Sequence, residues 1–335
     1  MRPDILNNIA IQFNCLRKYR IGYLCALNLL TIKLMKSVSL FGLFLAASLC
    51  QFCNSSGANH SGAPKDSTKT AAVGATVAPE GEISSAPTEA RPQVPILCYH
   101  NIKDVQGKSS PDYTLTIALF DAQIKMLADS GYHSVLPDQL YDYLTKGTAL
   151  PSKPIMLTFD DSHEEHYSVA APELEKYGFK GVFFVMTIPI GKPRYMTADQ
   201  IKSLSDRGHV VGCHTWDHQN VKKLAAGNPV VAKLVNTAKF KDAGAQVAEA
   251  WNLELTKPKA KLEAIVGKPV EYFAYPFGAW DYAATNELKK GGVKAAFQLG
   301  DKIGAQAPMY TIRRILSEGN WSPAALSRMI HLAFK

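Results

Sequence analysis

From Gln93 onward the chain alternates short apolar runs with longer amphipathic ones. Parallel strands covered on both faces read as short continuous apolar runs, and the crossover helices that join them read with a 3.6-residue period. The alternation therefore predicts an α/β domain built on a parallel sheet. Strands are expected over 95–99, 154–159, 181–185, 209–213, 272–275 and 295–299, and helices over 117–130, 137–145, 168–177, 197–206, a long 228–266 and 282–290. Gly131, Gly178, Gly208 and Gly267 each stand where a left-handed C-cap would end a helix. About 240 residues of this kind suffice for a complete or partly open (β/α) barrel. An open doubly wound sheet stays open as the alternative, and in either case the carboxyl ends of the strands are where chemistry belongs.

Upstream the pattern changes. Residues 1–53 carry Arg2, Arg17, Lys18, Arg20, Lys33 and Lys36 against the single acid Asp4. Met35 and Lys36 open a short positive region, and the apolar run over 38–49 has signal-peptide rather than membrane-span length. Residues 1–34 then read as an upstream extension, with Met35 as a candidate initiator. A membrane anchor over 21–49 is the competing reading, and Lys33 and Lys36 stand against it. Cleavage after the small residues Ala46, Ala47 and Ser48, or lipidation of Cys50 or Cys53, both stay open. Residues 54–92 hold no aromatic residue and are dense in Gly, Pro, Ser, Thr and Ala, so they read as a flexible tether. The folded domain is expected over 93–335.

This division changes the meaning of the charge. The whole chain has 37 basic and 29 acidic residues, for a net +8; without the 6 and 1 of residues 1–53, 31 and 28 remain, for +3. The basic excess is a targeting feature, and no nucleic-acid partner is expected. Of six cysteines only Cys98 and Cys213 lie in the body. They could form one bridge or be two separately buried thiols; no CxxC zinc knuckle exists.

Four strand ends carry chemistry. His100 follows the first run, Asp160-Asp161 the second, the His214-Thr215-Trp216-Asp217-His218 segment the fourth, and Pro276-Phe277-Gly278 the fifth. Asp161, His214 and His218 have the types and number of a two-His, one-carboxylate set on a divalent metal with open positions. The two His are four residues apart, so one helical turn or a tight loop puts both rings on one side. Asp160 leaves its strand to the opposite side from Asp161 and is better placed as a general base. His100 could then protonate the leaving group. His163-Glu164-Glu165-His166 mimics a zincin helix, but its His are three apart, and it reads as a polar loop lining the cleft.

Together these residues resemble the NodB-like polysaccharide deacetylases, carbohydrate esterase family four. Thr158-Phe159-Asp160-Asp161 matches the TFDD motif, His214 to His218 the H-(S/T)-x-x-x-H motif, and Phe273-Ala274-Tyr275-Pro276-Phe277-Gly278 the third motif in the form of the branch acting on poly-N-acetylglucosamine. The resemblance implies a distorted (β/α)7 barrel, with Asp160 as base and Asp161, His214 and His218 as ligands of a divalent metal, zinc foremost. It departs from the wider family in three places. Ala274 stands where an Arg orients the base, which leaves Arg313 or Arg314 as its replacement. The C-terminal Leu-x-His is missing, which assigns the acid to His100 and leaves His331 as a surface or core residue. Ser162 stands where Gly is frequent.

The reaction implied is metal-assisted hydrolysis of an acetamide on a sugar polymer. The Phe277 backbone N–H would face the tetrahedral oxyanion, since Pro276 has none. Trp216, Trp280 and Tyr275 are candidate sugar-stacking platforms. The expected partner is an N-acetylated polysaccharide outside the cell or in the envelope, met by a monomer attached through the N-terminus or secreted. Peptidoglycan, chitin and O-acetylxylan are the alternative substrates, and a non-catalytic carbohydrate-binding barrel is the alternative of another class.

Overall fold

The computed structural model describes residues 91–334 apart from 241, 301 and 302. The extension over 1–53 and the tether up to residue 90 lie outside the described residues. Among the described residues no helix is long and apolar enough to cross a membrane.

The sheet is all parallel. β1 (Ile96–Tyr99) pairs with β5 (Pro154–Phe159), and β6 (Val182–Val185), β7 (Val210–Cys213), β8 (Tyr272–Ala274) and β9 (Ala295–Gln298) follow in order. β10 (Ile312–Arg313) pairs with β9, and β11 (Ile315–Leu316) pairs with β1. A single residue, Arg314, separates these two short strands, so one extended segment joins the two edges of the sheet. With that segment as the seventh staves' position, the sheet is a nearly closed (β/α)7 barrel, not an open doubly wound sheet. β2 (Asn101–Lys103) and β3 (Thr114–Thr116) form a separate parallel pair after β1, and β4 (His133–Ser134) adds to β5.

All six expected strands are present within one residue at each end. The seventh position escaped notice because its two strands are two residues each, too short to show a hydrophobic period. Strand residues of one alternation, among them Ile96, Met156, Val182, Phe184, Ala274, Phe297 and Ile312, pack on one another in the barrel. Those of the other, such as Leu97, Leu157, Phe159, Phe183 and Phe273, pack with the helices. Gly212 is required here, because a Cβ would sit 2.5 Å from the Phe184 ring.

The four predicted C-cap glycines all adopt left-handed backbone, with φ between 72° and 86°. The long 228–266 helix does not form as one element. It divides into Pro229–Leu234, Ala243–Trp251, a π turn Asn252–Thr256 and Lys257–Val266, and the Asp242 side chain caps the second piece. The π turn directly precedes Pro258, whose ring has no N–H and would collide with the carbonyl four residues back in a regular α-helix. The 168–177 helix has the same construction, a π turn His166–Ala170 before Pro172. The helix Pro323–Ala333 was not anticipated.

His209, fully buried at the foot of β7, ties two layers together. Its Nδ1 accepts the Gly181 N–H at 2.9 Å, and its Nε2 lies 3.1 Å from Glu175, so only the neutral ring protonated on Nε2 fits. Burial, then the charge of Lys180, pushes its pKa down to about 4. Above the ordinary His value neither the folded nor the unfolded chain holds this proton. Below it the unfolded chain binds one that the folded state refuses, so stability falls as pH drops from about 6.5 to about 4. Urea unfolding at pH 7 and pH 4 should show a loss to which His209 contributes about 3 kcal/mol, and the loss should shrink correspondingly in His209→Gln.

Candidate active site

The site lies at the carboxyl ends of the strands, where the period-2 alternation sets who faces whom. Cys98, Thr158 and Asp160 continue the inward alternation of β1 and β5, and Arg314 enters from the closing segment. Arg314 and Asp160 are both buried and meet through two parallel bonds, Nη1 to Oδ1 at 2.8 Å and Nη2 to Oδ2 at 2.7 Å. Arg314 also donates to the Thr158 hydroxyl at 3.1 Å, and its backbone N–H donates to the Gln298 carbonyl at 3.1 Å. Burial alone would raise the Asp160 carboxyl, but the Arg314 guanidinium holds it well below the usual carboxylate range. Arg313 points away, donating to the Ala333 carbonyl of the last helix at 3.0 Å. Of the two arginines offered by the sequence, Arg314 reaches Asp160.

Asp161 turns the other way. It has φ of 79°, and Ser162 follows with φ of 64°, so the chain bends sharply after Asp160. Ser162 occupies a conformation that suits Gly, and its buried hydroxyl compensates by accepting the Met186 N–H at 2.7 Å and donating to the Met186 carbonyl at 3.2 Å. Asp161 Oδ1 lies 3.5 Å from His214 Nε2 and 3.4 Å from His218 Nε2. The two His come from a tight loop rather than a helical turn, with Thr215 at φ 67° and His218 at φ 53°.

His214 Nδ1 donates to the Ala274 carbonyl at 2.8 Å, which fixes the tautomer and leaves the Nε2 lone pair facing Asp161. Both His214 Nε2 and Asp161 Oδ1 are buried without a hydrogen-bond partner. Donor separations near 3.4 Å are those of a tetrahedron with ligand bonds of roughly 2.1 Å. By its donor types, spacing and unsatisfied atoms this group could hold a divalent cation.

His100 is nearly buried beside Asp160, its Nε2 3.9 Å from Oδ2 and its ring 4.9 Å from that of Tyr113. Burial lowers its pKa, while the Asp161 and Asp160 carboxylates raise it. Cys98 lies 3.5 Å from Asp160 Oδ2; it and Cys213 are both free and buried, which settles the bridge in favour of separate thiols.

A family profile described as Polysaccharide deacetylase matches residues 147–296, which span β5, the two-His loop and β8. The chain carries a polysaccharide deacetylase domain. YxkH of Bacillus subtilis is 25% identical over 248 residues, covering 72% of this chain and 78% of its own. The Escherichia coli poly-beta-1,6-N-acetyl-D-glucosamine N-deacetylase is 25% identical over 257 residues, 70% of this chain but 38% of that longer protein. Among solved structures, Streptococcus pyogenes deacetylase PplD superposes with a TM-score of 0.61 at 24% identity, covering 72% of this chain and 99% of its own, which shows the fold.

The other expected site residues of the deacetylase domain divide. Phe277 stands in a turn at φ 61°, 61% exposed, with its ring 4.5 Å from that of His218. Among the described residues nothing accepts its N–H. Trp216 is exposed between the two His, and Trp280 is half-buried against Tyr282. Tyr275 cannot stack on a sugar: it is fully buried, its ring edge-on to Phe273 and its hydroxyl donating to the Tyr310 carbonyl at 2.9 Å. It shares the outward alternation of Phe273 and belongs to the core. His331 is exposed on the last helix, bonded to the Ser327 carbonyl.

Two contributors were missed. His166 of the zincin-like stretch is buried, and its Nε2 bonds the His100 carbonyl at 2.6 Å, so it supports the first strand end. Glu254 is fully buried and accepts the N–H groups of Trp216 and Asp217 in the two-His loop at 3.1 and 3.3 Å. Burial raises its carboxyl to about 7, against the pull of the Asp217 and Trp216 amides. The available signal was an acid on an apolar helix face, between Trp251, Leu255 and Pro258.

Removing Arg314 leaves a buried carboxylate uncompensated. Arg314→Met should cost about 3–5 kcal/mol in urea unfolding, and adding Asp160→Asn should recover a large part of it. Arg313→Ala, losing bonds to the Ala333 carbonyl and Gln93 and a contact with the Phe334 ring at the edge of the fold but leaving no buried charge unpaired, should cost less, about 1 kcal/mol.

Proposed function

We propose that the domain hydrolyses N-acetyl groups of a polysaccharide of the poly-N-acetylglucosamine type, releasing acetate, with a divalent cation held by Asp161, His214 and His218. The observation that carries this reading is the division of two adjacent carboxylates into different environments. Asp160 is locked against Arg314 and kept ionised, whereas Asp161 faces the Nε2 atoms of His214 and His218, and its Oδ1 and the His214 Nε2 are buried without a hydrogen-bond partner. A divalent cation there, zinc in the first instance, supplies Lewis acidity toward the acetyl carbonyl and the attacking water.

The chain's own residues do the rest. Asp160 accepts a proton as the water oxygen bonds to the acyl carbon. Arg314 holds both carboxylate oxygens of Asp160, so the base keeps one orientation while the proton arrives. The Phe277 N–H, free of other acceptors, donates to the oxygen that becomes negative. His100 gives a proton to the sugar nitrogen as the carbon–nitrogen bond breaks, leaving acetate and an amine. Burial is the largest influence on its ring and lowers its pKa on balance, while the Asp161 and Asp160 carboxylates pull the other way and offset part of the cost of holding that proton. Trp216 and Trp280 offer faces to the pyranose rings on either side, and Phe277 offers a third.

The third motif, with Ala274 and Arg314 in place of an Arg on β8, and the name of the Escherichia coli relative support this substrate class. The signal-like pattern over 35–53 supports action outside the cell or in its envelope. The rival reading, a binding barrel without chemistry, is opposed by the intact set of Asp160, Asp161, His100, His214 and His218.

Asp160→Asn and His214→Ala should each lower acetate release at least ~100-fold with unchanged circular dichroism, and a chelator should do the same reversibly on adding zinc. Full activity in either variant, or indifference to the chelator, overturns the scheme. Across β-1,6-linked acetylglucosamine oligomers, chitin oligomers, peptidoglycan and acetylxylan, the first should give the highest kcat/KM; a preference for another polymer would reassign the substrate but not the chemistry.

A further inference from the structure

The loop from His214 to His218 has two dissimilar ends. His214 is locked twice, by its backbone N–H to the Val185 carbonyl at 3.0 Å and by Nδ1 to the Ala274 carbonyl at 2.8 Å. Among the described residues His218 has neither lock; its ring lies against those of His214 and Phe277 with Nε2 3.4 Å from Asp161, so its place depends on the backbone that leads to it. That backbone is unfavourable by itself. Thr215 and His218 both adopt left-handed conformations, which are strained for residues other than Gly and persist only where surroundings over-determine them.

The surroundings are visible. The Thr215 and Trp216 carbonyls accept from Thr187 and Ile188 at 3.3 and 2.9 Å, holding one side of the loop. On the other side the only side chain that takes up its amides, among the described residues, is Glu254, whose single oxygen Oε2 accepts from Trp216 and Asp217. Glu254 is an acid without solvent exposure, set in the π turn that Pro258 requires and flanked by buried Trp251 and Leu255. A buried carboxylate in an apolar helix face costs stability unless its bonds repay it. Among the described residues no cation pairs with it, and its bonds go to the loop that presents His214 and His218.

We propose that Glu254 is a positioning residue that fixes His218 opposite Asp161 through the Trp216 and Asp217 amides, and so sets the affinity of the site for a divalent cation. This inference rests on the reading of Asp161, His214 and His218 as the metal site. The conservative variant Glu254→Gln keeps an acceptor oxygen for the two amides, whereas Glu254→Met keeps the volume and has none.

The test uses the full chain and Co2+ alone as probe, reading the visible d–d spectrum and the Kd from competition with a chromophoric chelator. Glu254→Met should bind Co2+ ~10- to 100-fold more weakly with a weakened or shifted spectrum, and Glu254→Gln should stay within ~3-fold of the wild type. If the wild type binds no Co2+, the metal reading itself fails. If the wild type binds and Glu254→Met binds as well with the same spectrum, only the role of Glu254 is overturned, as it is if Glu254→Gln loses as much as Glu254→Met. Should Glu254→Met not fold, the same decision falls to Asn252→Ala and Glu254→Gln. Loss in Asn252→Ala, which changes the same turn without touching the loop amides, would mean that the turn acts through stability and would overturn the proposal. Retention in both, with the Trp216 and Asp217 amides protected from hydrogen exchange, would support it.

Discussion

The paired bonds between Arg314 and Asp160 hold the domain together in two senses. Arg314 is the one residue between the strands that join the two edges of the sheet, so its backbone closes the barrel. Its side chain turns inward over Phe184, 5.4 Å from the ring centre, and ends on the carboxylate at the end of β5. Burying either charge alone would be expensive; together, with Thr158 as a third partner, they satisfy one another. Closure of the sheet and ionisation of Asp160 are therefore one constraint.

The rest of the site is arranged around that constraint. With Asp160 committed to Arg314, the chain must reverse at once for Asp161 to face the other strand ends, and it does so through two consecutive left-handed residues. Non-glycine residues in that conformation are also found at Thr215, His218 and Phe277, all of them around the same pair of His rings. Local strain is concentrated where side chains must converge, and buried hydrogen bonds from Ser162 and Glu254 offset it. The same logic explains Tyr275: its alternation places it with Phe273 in the core, so the strand-end position that looked ready for a sugar is structural.

Much of this was legible beforehand. Six barrel strands announced themselves because parallel strands are buried on both faces and read as continuous apolar runs. Asp160, Asp161, His100 and the two His could be singled out because each follows such a run. The helices were less secure where proline intervened. Pro172 and Pro258 do not end their helices but are absorbed by π turns, an outcome that depends on neighbouring packing and that no hydrophobic period reveals. Likewise, a separated pair such as Arg314 and Asp160, 154 residues apart, leaves no local signature.

The alternation of strands and helices, the caps that end the helices and the residue types at the strand ends are all written into the local sequence. These follow from short-range rules of periodicity and backbone conformation. Long-range packing, by contrast, selected Arg314 over Arg313, removed Tyr275 from the cleft, kept Cys98 and Cys213 apart and brought Glu254 beneath the two-His loop. Each of those outcomes rests on closing the sheet into a barrel, because closure sets which alternation faces inward and brings chain segments far apart in sequence within hydrogen-bonding reach.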